Sequence, residues 1–414
     1  MDKNYSIIGA GITGCALAIY LKKKLNKDVS IYEISSKVGG VLRDLNFNNE
    51  KFFNGVQYLS NDKTWINFIA KDKDFKNIFW SFQDNCGSYT SFEGEEIYSS
   101  EFPCPVFKSK IDLNNLKILK PAKNLTERIN LYPKSIAEHL MKWVKKYEIN
   151  TDLLSSKCAS NGLMLNKILL KDNNLSDIKN LKKNNKIFDD LYGLPRKELN
   201  YPKINVLVPK EGYDIFFSKI ENFLKRNGIN IHLNSSIRPK WENNKLIVKK
   251  LSENINAQKI IWTANPTKLI ESYNLKKIDS YPLFIKTFTS NLEIDLKKLF
   301  YVNIFSHELD IFRVFLHKIG NKSKITFECF DKITDIKKDL KKINQIFLKF
   351  GYDIKLNSDM KFHLKRQKKF FLLSLNDEKI FENFFKKTKN SNLVHGAWDE
   401  YYREKKINTA IKSL

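Results

Sequence analysis

Three glycines near the start of the chain carry its first recognisable chemistry. Gly9, Gly11 and Gly14 stand as Gly-x-Gly-x-x-Gly between two apolar runs, Tyr5-Ser6-Ile7-Ile8 and Cys15-Ala16-Leu17-Ala18-Ile19. That spacing suits a pyrophosphate: Gly9 permits a tight turn, Gly11 lets the backbone approach the phosphates, and Gly14 lets a helix pack closely on a strand. The helix N-terminus would face the phosphates with N–H groups and a partial positive charge. A second apolar run, Val29-Ser30-Ile31-Tyr32, ends on Glu33. An acid about 20 residues beyond such glycines accepts hydrogen bonds from a ribose hydroxyl. The elements needed to hold these residues, strand, helix, strand and acid, follow in order as one βαβ unit. This order separates the pattern from a glycine-rich turn in an ordinary α/β domain.

The next residues repeat the device. Gly39-Gly40 follows Glu33 after five residues, and Arg43 comes shortly afterwards. A glycine pair here permits a second close approach of backbone to a cofactor, the plainer alternative being a flexible turn. Arg43 could add a charge-assisted hydrogen bond to a pyrophosphate. Downstream, Val208-Pro209-Lys210-Glu211-Gly212-Tyr213-Asp214 precedes an amphipathic stretch (Ile215, Phe216, Ile220, Phe223, Leu224), then the strand-like Ile229-Asn230-Ile231-His232-Leu233 and Lys259-Ile260-Ile261-Trp262-Thr263-Ala264. Near the C-terminus, Asn392-Leu393-Val394-His395-Gly396 reads as a strand ending in glycine, and Ile407-Asn408-Thr409-Ala410-Ile411 is expected to open a final helix.

Taken together these segments resemble the FAD-dependent amine oxidase and UDP-galactopyranose mutase superfamily, which also includes protoporphyrinogen oxidases. The resemblance covers the dinucleotide segments well and the rest loosely. It implies FAD as cofactor, held by Gly9, Gly11, Gly14, Glu33, Gly39, Gly40 and Arg43, with a backbone group near Ile237 on the adenine. It also implies that Gly396 and the helix N-terminus near Asn408 lie by the flavin, where the helix dipole stabilises negative charge on the ring. The fold class follows: α/β, with a discontinuous Rossmann-like FAD-binding domain (1–60, 205–265 and 370–414), a mainly helical cap region (61–204) and an antiparallel-sheet substrate domain (266–369).

Candidates for the reaction come from the same comparison. A Gly-x-His segment often faces the flavin in that superfamily. Here Phe53-Asn54-Gly55-Val56-Gln57-Tyr58 has Gln57 in place of the histidine. Glutamine can hydrogen-bond the flavin edge but cannot transfer a proton. Tyr401 or Tyr402 matches the mutase tyrosine that grips a diphosphate; packing in a surface loop is the alternative. Arg196 and Arg313 could bind a diphosphate or carboxylate bidentately, or form structural ion pairs. Glu328 reads as a paired acid on a strand, and His395 as a core histidine beside the flavin strand. The implied reactions are a redox-neutral ring contraction of a nucleotide sugar through reduced flavin, and, as the alternative, hydride removal from a C–N or C–C bond. A non-catalytic FAD-binding protein is the third reading.

Composition narrows the class. With 414 residues, 42% of them apolar and 13% aromatic, the chain can bury more than one core. Cys15, Cys86, Cys104, Cys158 and Cys329 are scattered, with no Cys-x-x-Cys spacing, so neither a disulfide framework nor a metal site is expected, and a cytoplasmic setting is. No segment reaches the ~18 apolar residues of a membrane span. The net charge of +26 comes almost wholly from lysines spread along the chain, while arginine, preferred for phosphate and base recognition, is scarce. Nucleic acid is therefore not the expected partner; a small molecule is. An anionic membrane surface stays the lesser alternative, on clusters such as Lys365-Arg366-Gln367-Lys368-Lys369 and Lys405-Lys406.

Between the dinucleotide segments the patterns change. Residues 135–144 have helical apolar spacing after Pro133, and 95–108 read as loop around Phe102-Pro103-Cys104-Pro105. Residues 283–289, 312–317 and 324–329 alternate as strands, the last two joined by Gly320-Asn321, with a helix expected over 335–350.

Overall fold

The structure is a computed structural model that describes residues 4–414 except 62, 84, 101–102, 111–119, 161, 196–204, 252, 274–277, 279–280, 397 and 399–402. The chain opens with β1 (Asn4–Ile8), α1 (Ile12–Leu25) and β2 (Asp28–Tyr32). Next come β3 (Cys86–Phe92), β4 (Glu95–Ser99), α2 (Lys134–Lys145), α3 (Tyr213–Arg226), β5 (Asn230–His232) and β6 (Lys259–Trp262). Then follow β7 (Tyr281–Asn291), β8 (Phe300–Phe305), β9 (Ile311–Ile319), β10 (Lys322–Phe330) and α4 (Leu340–Lys349). The chain closes with β11 (His363–Leu372), α5 (Leu375–Thr388), β12 (Leu393–His395) and α6 (Arg403–Lys412).

One sheet is wholly parallel, in the order β5-β2-β1-β6-β12. Parallel neighbours need crossovers, which place helices on the sheet faces and bury its strands on both sides. The strands are apolar accordingly, with Ile7, Ile31 and Ile261 fully buried. Helix α1 is apolar nearly all round because it too is enclosed: Cys15, Ala16, Leu17, Ala18, Ile19 and Leu21 have no exposure. Ile407 and Ala410 of α6 join the same core, as do Phe216, Ile220 and Leu224 of α3. The sheet therefore gathers strands from the start, middle and end of the chain.

The second sheet has seven strands, in the order β11-β7-β10-β9-β8-β3-β4. It is antiparallel except where β8 runs parallel to β3. On one face α4 packs Ile343, Ile346 and Phe347 against Val314, Ile325 and Phe327. The opposite face is shared. Phe315 packs into the core of the parallel sheet, while Ile285, Phe305, Phe312 and Phe330 pack into a cap core with Leu140 and Trp143 of α2.

Three sequence expectations are corrected here. The region 61–204, expected to be mainly helical, does hold α2 and the helices Leu125–Ile129, Leu175–Asn184 and Lys186–Leu191, but it also supplies β3 and β4 to the large sheet and a further strand at Phe79–Gln83. The stretch 95–108, expected to be loop, holds β4 and the short strand Val106–Phe107. Finally, the last helix starts at Arg403, not at Ile407. Nothing between Arg403 and Ile407 breaks a helix, and Lys405 and Lys406 are good helix formers.

Candidate functional site

The glycine turn lies at the C-terminal end of β1, where ligands bind in open parallel sheets. Gly9 has φ +105°, and a Cβ there would lie 2.9 Å from Ala264 N. Its N–H donates to Tyr32 O (2.8 Å), and its carbonyl accepts from Thr263 Oγ1 (3.0 Å). Gly14 is required by packing, since a Cβ would sit 2.0 Å from Gly9 O. Gly11 differs from both: a Cβ there meets no atom within 4 Å. It is the N-cap of α1, with no side-chain cap and no acid in the first turn. The N-terminus of α1 is thus uncapped by any side chain of its own, and the space a Cβ on Gly11 would fill is open among the described residues.

Glu33 is 8% exposed and stands at the end of β2. Its Oε2 accepts from Ala10 N (2.8 Å), and its Oε1 accepts from Ser35 N (2.9 Å) and Ser35 Oγ (2.7 Å). The carboxylate is oriented by the glycine turn itself and retains acceptor capacity for a ribose hydroxyl. Ile237, expected near the adenine, opens the strand Ile237–Glu242. From this later segment His232 O accepts from the Glu33 N–H (2.9 Å), and the Ser235 N–H donates to Glu33 O (2.8 Å). Thr263 and Ser235 are cradle residues that the sequence reading passed over. Thr263 had a signal, a hydroxyl directly after a strand end.

The second glycine pair completes the cradle. Gly39 N–H donates to Ala10 O (2.9 Å), and Gly11 and Gly39 form an isolated parallel bridge. A Cβ on Gly40 would lie 3.1 Å from Gly11 Cα, and one on Gly39 would lie 2.8 Å from Phe217 Cδ2 of α3. Arg43 is turned along its own loop, donating through Nη2 to Lys37 O and to Val38 O (3.3 Å).

Gln57 is buried and donates from Nε2 to Val41 O (3.2 Å), within the turn that follows Gly40. A main-chain carbonyl can only accept, so this bond fixes which end of the amide faces it. Gln57 Oε1 is left as a buried acceptor with no partner among the described residues. The same loop reaches the large sheet: Val56 N–H donates to Glu328 Oε1 (3.0 Å), and Phe53 stacks on His317 with ring centroids 4.4 Å apart.

Arg313 does not stand clear as a substrate ligand. Its guanidinium donates to Glu328 Oε2 through Nη2 and, at 2.7 Å, through Nε, while Lys369 donates to Glu328 Oε1 (2.7 Å). Glu328 is fully buried. Burial alone pushes its carboxyl up, but Arg313 and Lys369 outweigh that and bring it from 4.5 down to about 2. The ion-pair alternative is the one seen.

These two residues belong to a polar row that crosses the sheet. Successive cross-strand partners are Ser99, Ser88, Asn303, Arg313, Glu328 and Thr287, ending at Lys365 on β11. Directly paired residues share a face, so the row lies between Phe315 on the dinucleotide side and Phe305, Phe330 and Ile285 on the cap side. Asn303 Nδ2 donates to Pro103 O (2.6 Å), and its Oδ1 is another buried acceptor with no partner among the described residues. Asn54 Oδ1, Thr289 Oγ1 and His317 Nδ1 are buried in the same condition. At the far end Ser99 also lines a cavity of about 320 Å³ with Tyr98, Lys171 and Tyr192.

The C-terminal candidates divide. Gly396 is sterically required, because a Cβ would lie 2.3 Å from Trp262 O. His395 is a core histidine: its Nε2 meets Thr388 Oγ1 (3.1 Å), and burial lowers its pKa to about 4. Asn408 is the sixth residue of α6, so its N–H belongs to the helix ladder rather than to a free N-terminus. Tyr401, Tyr402 and Arg196 lie outside the described residues. Among the described residues no cluster of three or more His, Cys, Asp or Glu could hold a metal, and no helix is long and apolar enough to cross a membrane.

Residues 7–71, the span of this cradle, match the NAD(P)-binding Rossmann-like domain family. Among solved structures, a reduced UDP-galactopyranose mutase superposes with TM-score 0.66 at 12% identity, covering 99% of this chain and 93% of that one. A protein assigned as a protoporphyrinogen oxidase, from Exiguobacterium sp. 255-15, gives 0.60 at 11% identity over 100% and 98% of the two chains. The chain has the fold of these proteins. A double mutant of putrescine oxidase, from work on redesign of cofactor binding, shares it too, at 0.56 and 11% identity over 99% and 97%. None of the curated proteins matches the sequence.

Proposed function

We propose that the protein is an FAD-dependent enzyme acting on a polar, hydroxyl-bearing small molecule, of the kind a UDP-galactopyranose mutase-like reaction on a nucleotide sugar would use. The observation that carries this reading is the continuity of two surfaces. The cradle of Gly9, Gly11, Gly14, Glu33, Gly39 and Gly40 leads through Val41 to Gln57, and the Gln57 loop sits directly on the polar row of the sheet. A dinucleotide along the cradle would therefore end between Gln57 and that row. Bound FAD would supply the electron chemistry. The chain's part is to hold the diphosphate on the α1 N-terminus and the ribose on Glu33, and to offer acceptors at Gln57 Oε1 and Asn303 Oδ1. An unmatched buried carbonyl costs ~1–3 kcal/mol, so these oxygens favour a ligand rich in O–H or N–H donors. The excess of cations around Glu328 disfavours an ammonium.

A second reading, a hydride-accepting oxidoreductase, draws on Arg313. Its commitment to Glu328 removes one of the two arginines proposed for a diphosphate. Purification and turnover test both readings. A protein that takes up FAD and converts UDP-galactose only after reduction by dithionite supports the mutase-like reading. Bleaching of bound flavin by an amine, with peroxide released in air, supports the oxidoreductase. A colourless protein that takes up no FAD removes both.

A further inference from the structure

We propose that Asp44 is a positioning residue that locks the Gly39–Arg43 arm of the cradle onto the N-terminus of α3. The deduction starts from a helix that lacks its own cap. Gly212 precedes α3 with φ +88° and has no side chain to offer. The orphan N–H groups there are met from far away in sequence: Asp44 Oδ1 accepts from Tyr213 N and Asp44 Oδ2 from Asp214 N, both at 3.0 Å. The Asp44 N–H in turn points to Asp214 Oδ1 (3.4 Å). This is the reciprocal logic of a capping box, drawn between residues 170 positions apart. Gly212 is part of the device, since a Cβ there would lie 2.4 Å from Asp44 Oδ2.

The arm before Asp44 has a single 3-10 turn, Gly40–Leu42, as its own secondary structure. Its near end is tied by Gly39 N–H to Ala10 O, and its middle by Gln57 to Val41 O. Gly39 rests on Phe217, one turn into the same helix that Asp44 caps. Asp44 and Phe217 thus hold the arm against α3 from two sides, at the distance where Gly40 almost touches Gly11. Releasing Asp44 frees the far end of the arm and widens the cradle, without touching Gly9, Gly11, Gly14 or Glu33.

The proposal rests on reading the cradle as a dinucleotide site, and the test separates the two. Hydrogen–deuterium exchange of the Gly39–Leu42 amides is measured without added dinucleotide, beside FAD titrations, for wild type, Asp44→Asn and Asp44→Ala. A helix cap is worth ~1 kcal/mol, or about five- to tenfold in an equilibrium. Asp44→Ala is expected to speed exchange in 39–42 by about that factor, with β1 and β6 unchanged, and to weaken FAD binding comparably. Asp44→Asn keeps one acceptor oxygen and should restore part of both. If Asp44→Ala does not fold, Asp214→Ala removes only the reciprocal bond and should give the same pattern more weakly. Unchanged exchange in 39–42, or an increase no larger than that throughout the parallel sheet, overturns the proposal. Wild type that takes up no FAD, with the exchange pattern as expected, overturns the dinucleotide reading and leaves the Asp44 lock standing.

Discussion

The Val56 N–H donates to Glu328 across 272 positions of sequence, joining the loop that bears Gln57 to the middle of the seven-stranded sheet. Glu328 also accepts from Arg313 and Lys369. Removing its charge leaves two largely buried cations facing a neutral group, the arrangement that costs most when a buried pair is broken. Glu328→Gln is expected to lose about 3 kcal/mol, read from the urea midpoint. A change below ~1 kcal/mol would mean that Arg313 and Lys369 have other adequate partners.

The same carboxylate sets an acid limit on the fold. Burial raises the Glu328 pKa, but Arg313 and Lys369 lower it further, from 4.5 to about 2. A carboxylate depressed in the folded state contributes stability that is fully present above its unfolded pKa. That contribution is lost as the pH falls from about 4.5 through about 2. Urea unfolding followed from pH 6 downwards should show a steeper loss in wild type than in Glu328→Gln, the two curves converging at the acid end. Parallel curves would assign the acid sensitivity to other groups.

What could be read in the sequence was what is encoded locally. Gly9 to Glu33 spans one βαβ unit, and Gly39-Gly40 follows at fixed spacing, so backbone conformation and function are written in adjacent residues. Gly55 shows where that stops. A Cβ there would lie 2.1 Å from Glu328 Oε1, yet nothing near Gly55 in the chain announces a carboxylate. Asp44 and Gly212 are illegible for the same reason. The hairpin β3–β4 did carry a signal: Ser88-Tyr89-Thr90-Ser91-Phe92 leads to Glu93-Gly94, both at positive φ, then Glu95-Glu96-Ile97-Tyr98. The glutamates at the turn and Pro103 and Pro105 beyond it concealed the strands. At the C-terminus the family-like spacing placed a helix start at Ile407, but the local propensity of Arg403 to Lys406 decided it.

Two glycines of one motif should fail in different ways. Gly14→Ala puts a methyl 2.0 Å from Gly9 O in a strand–helix contact that cannot spread without moving β1. It is expected to destabilise the apoprotein by ~1–3 kcal/mol, as overpacking does. Gly11→Ala meets no protein atom, so its thermal midpoint should stay within a degree or two, about 0.5 kcal/mol. Its FAD affinity should fall by about tenfold or more, ~1.4 kcal/mol. Equal flavin binding by Gly11→Ala and wild type would place the pyrophosphate elsewhere.

Gln57 offers a test that separates cofactor contact from fold. In the apoprotein it makes one bond, to Val41 O, and strands one buried oxygen. Replacing it with Leu removes both, and because a buried unmatched acceptor costs about as much as a single hydrogen bond contributes, the two changes roughly cancel. The urea midpoint of Gln57→Leu should therefore stay within ~1 kcal/mol of wild type. If Oε1 is the acceptor for a flavin N–H, the variant should bind FAD more weakly and shift its visible absorption bands, since a hydrogen bond at the ring edge alters its electronics. Unaltered bands and affinity in a stable Gln57→Leu protein would show that the flavin ring does not reach this loop, and that the free acceptor serves the substrate instead.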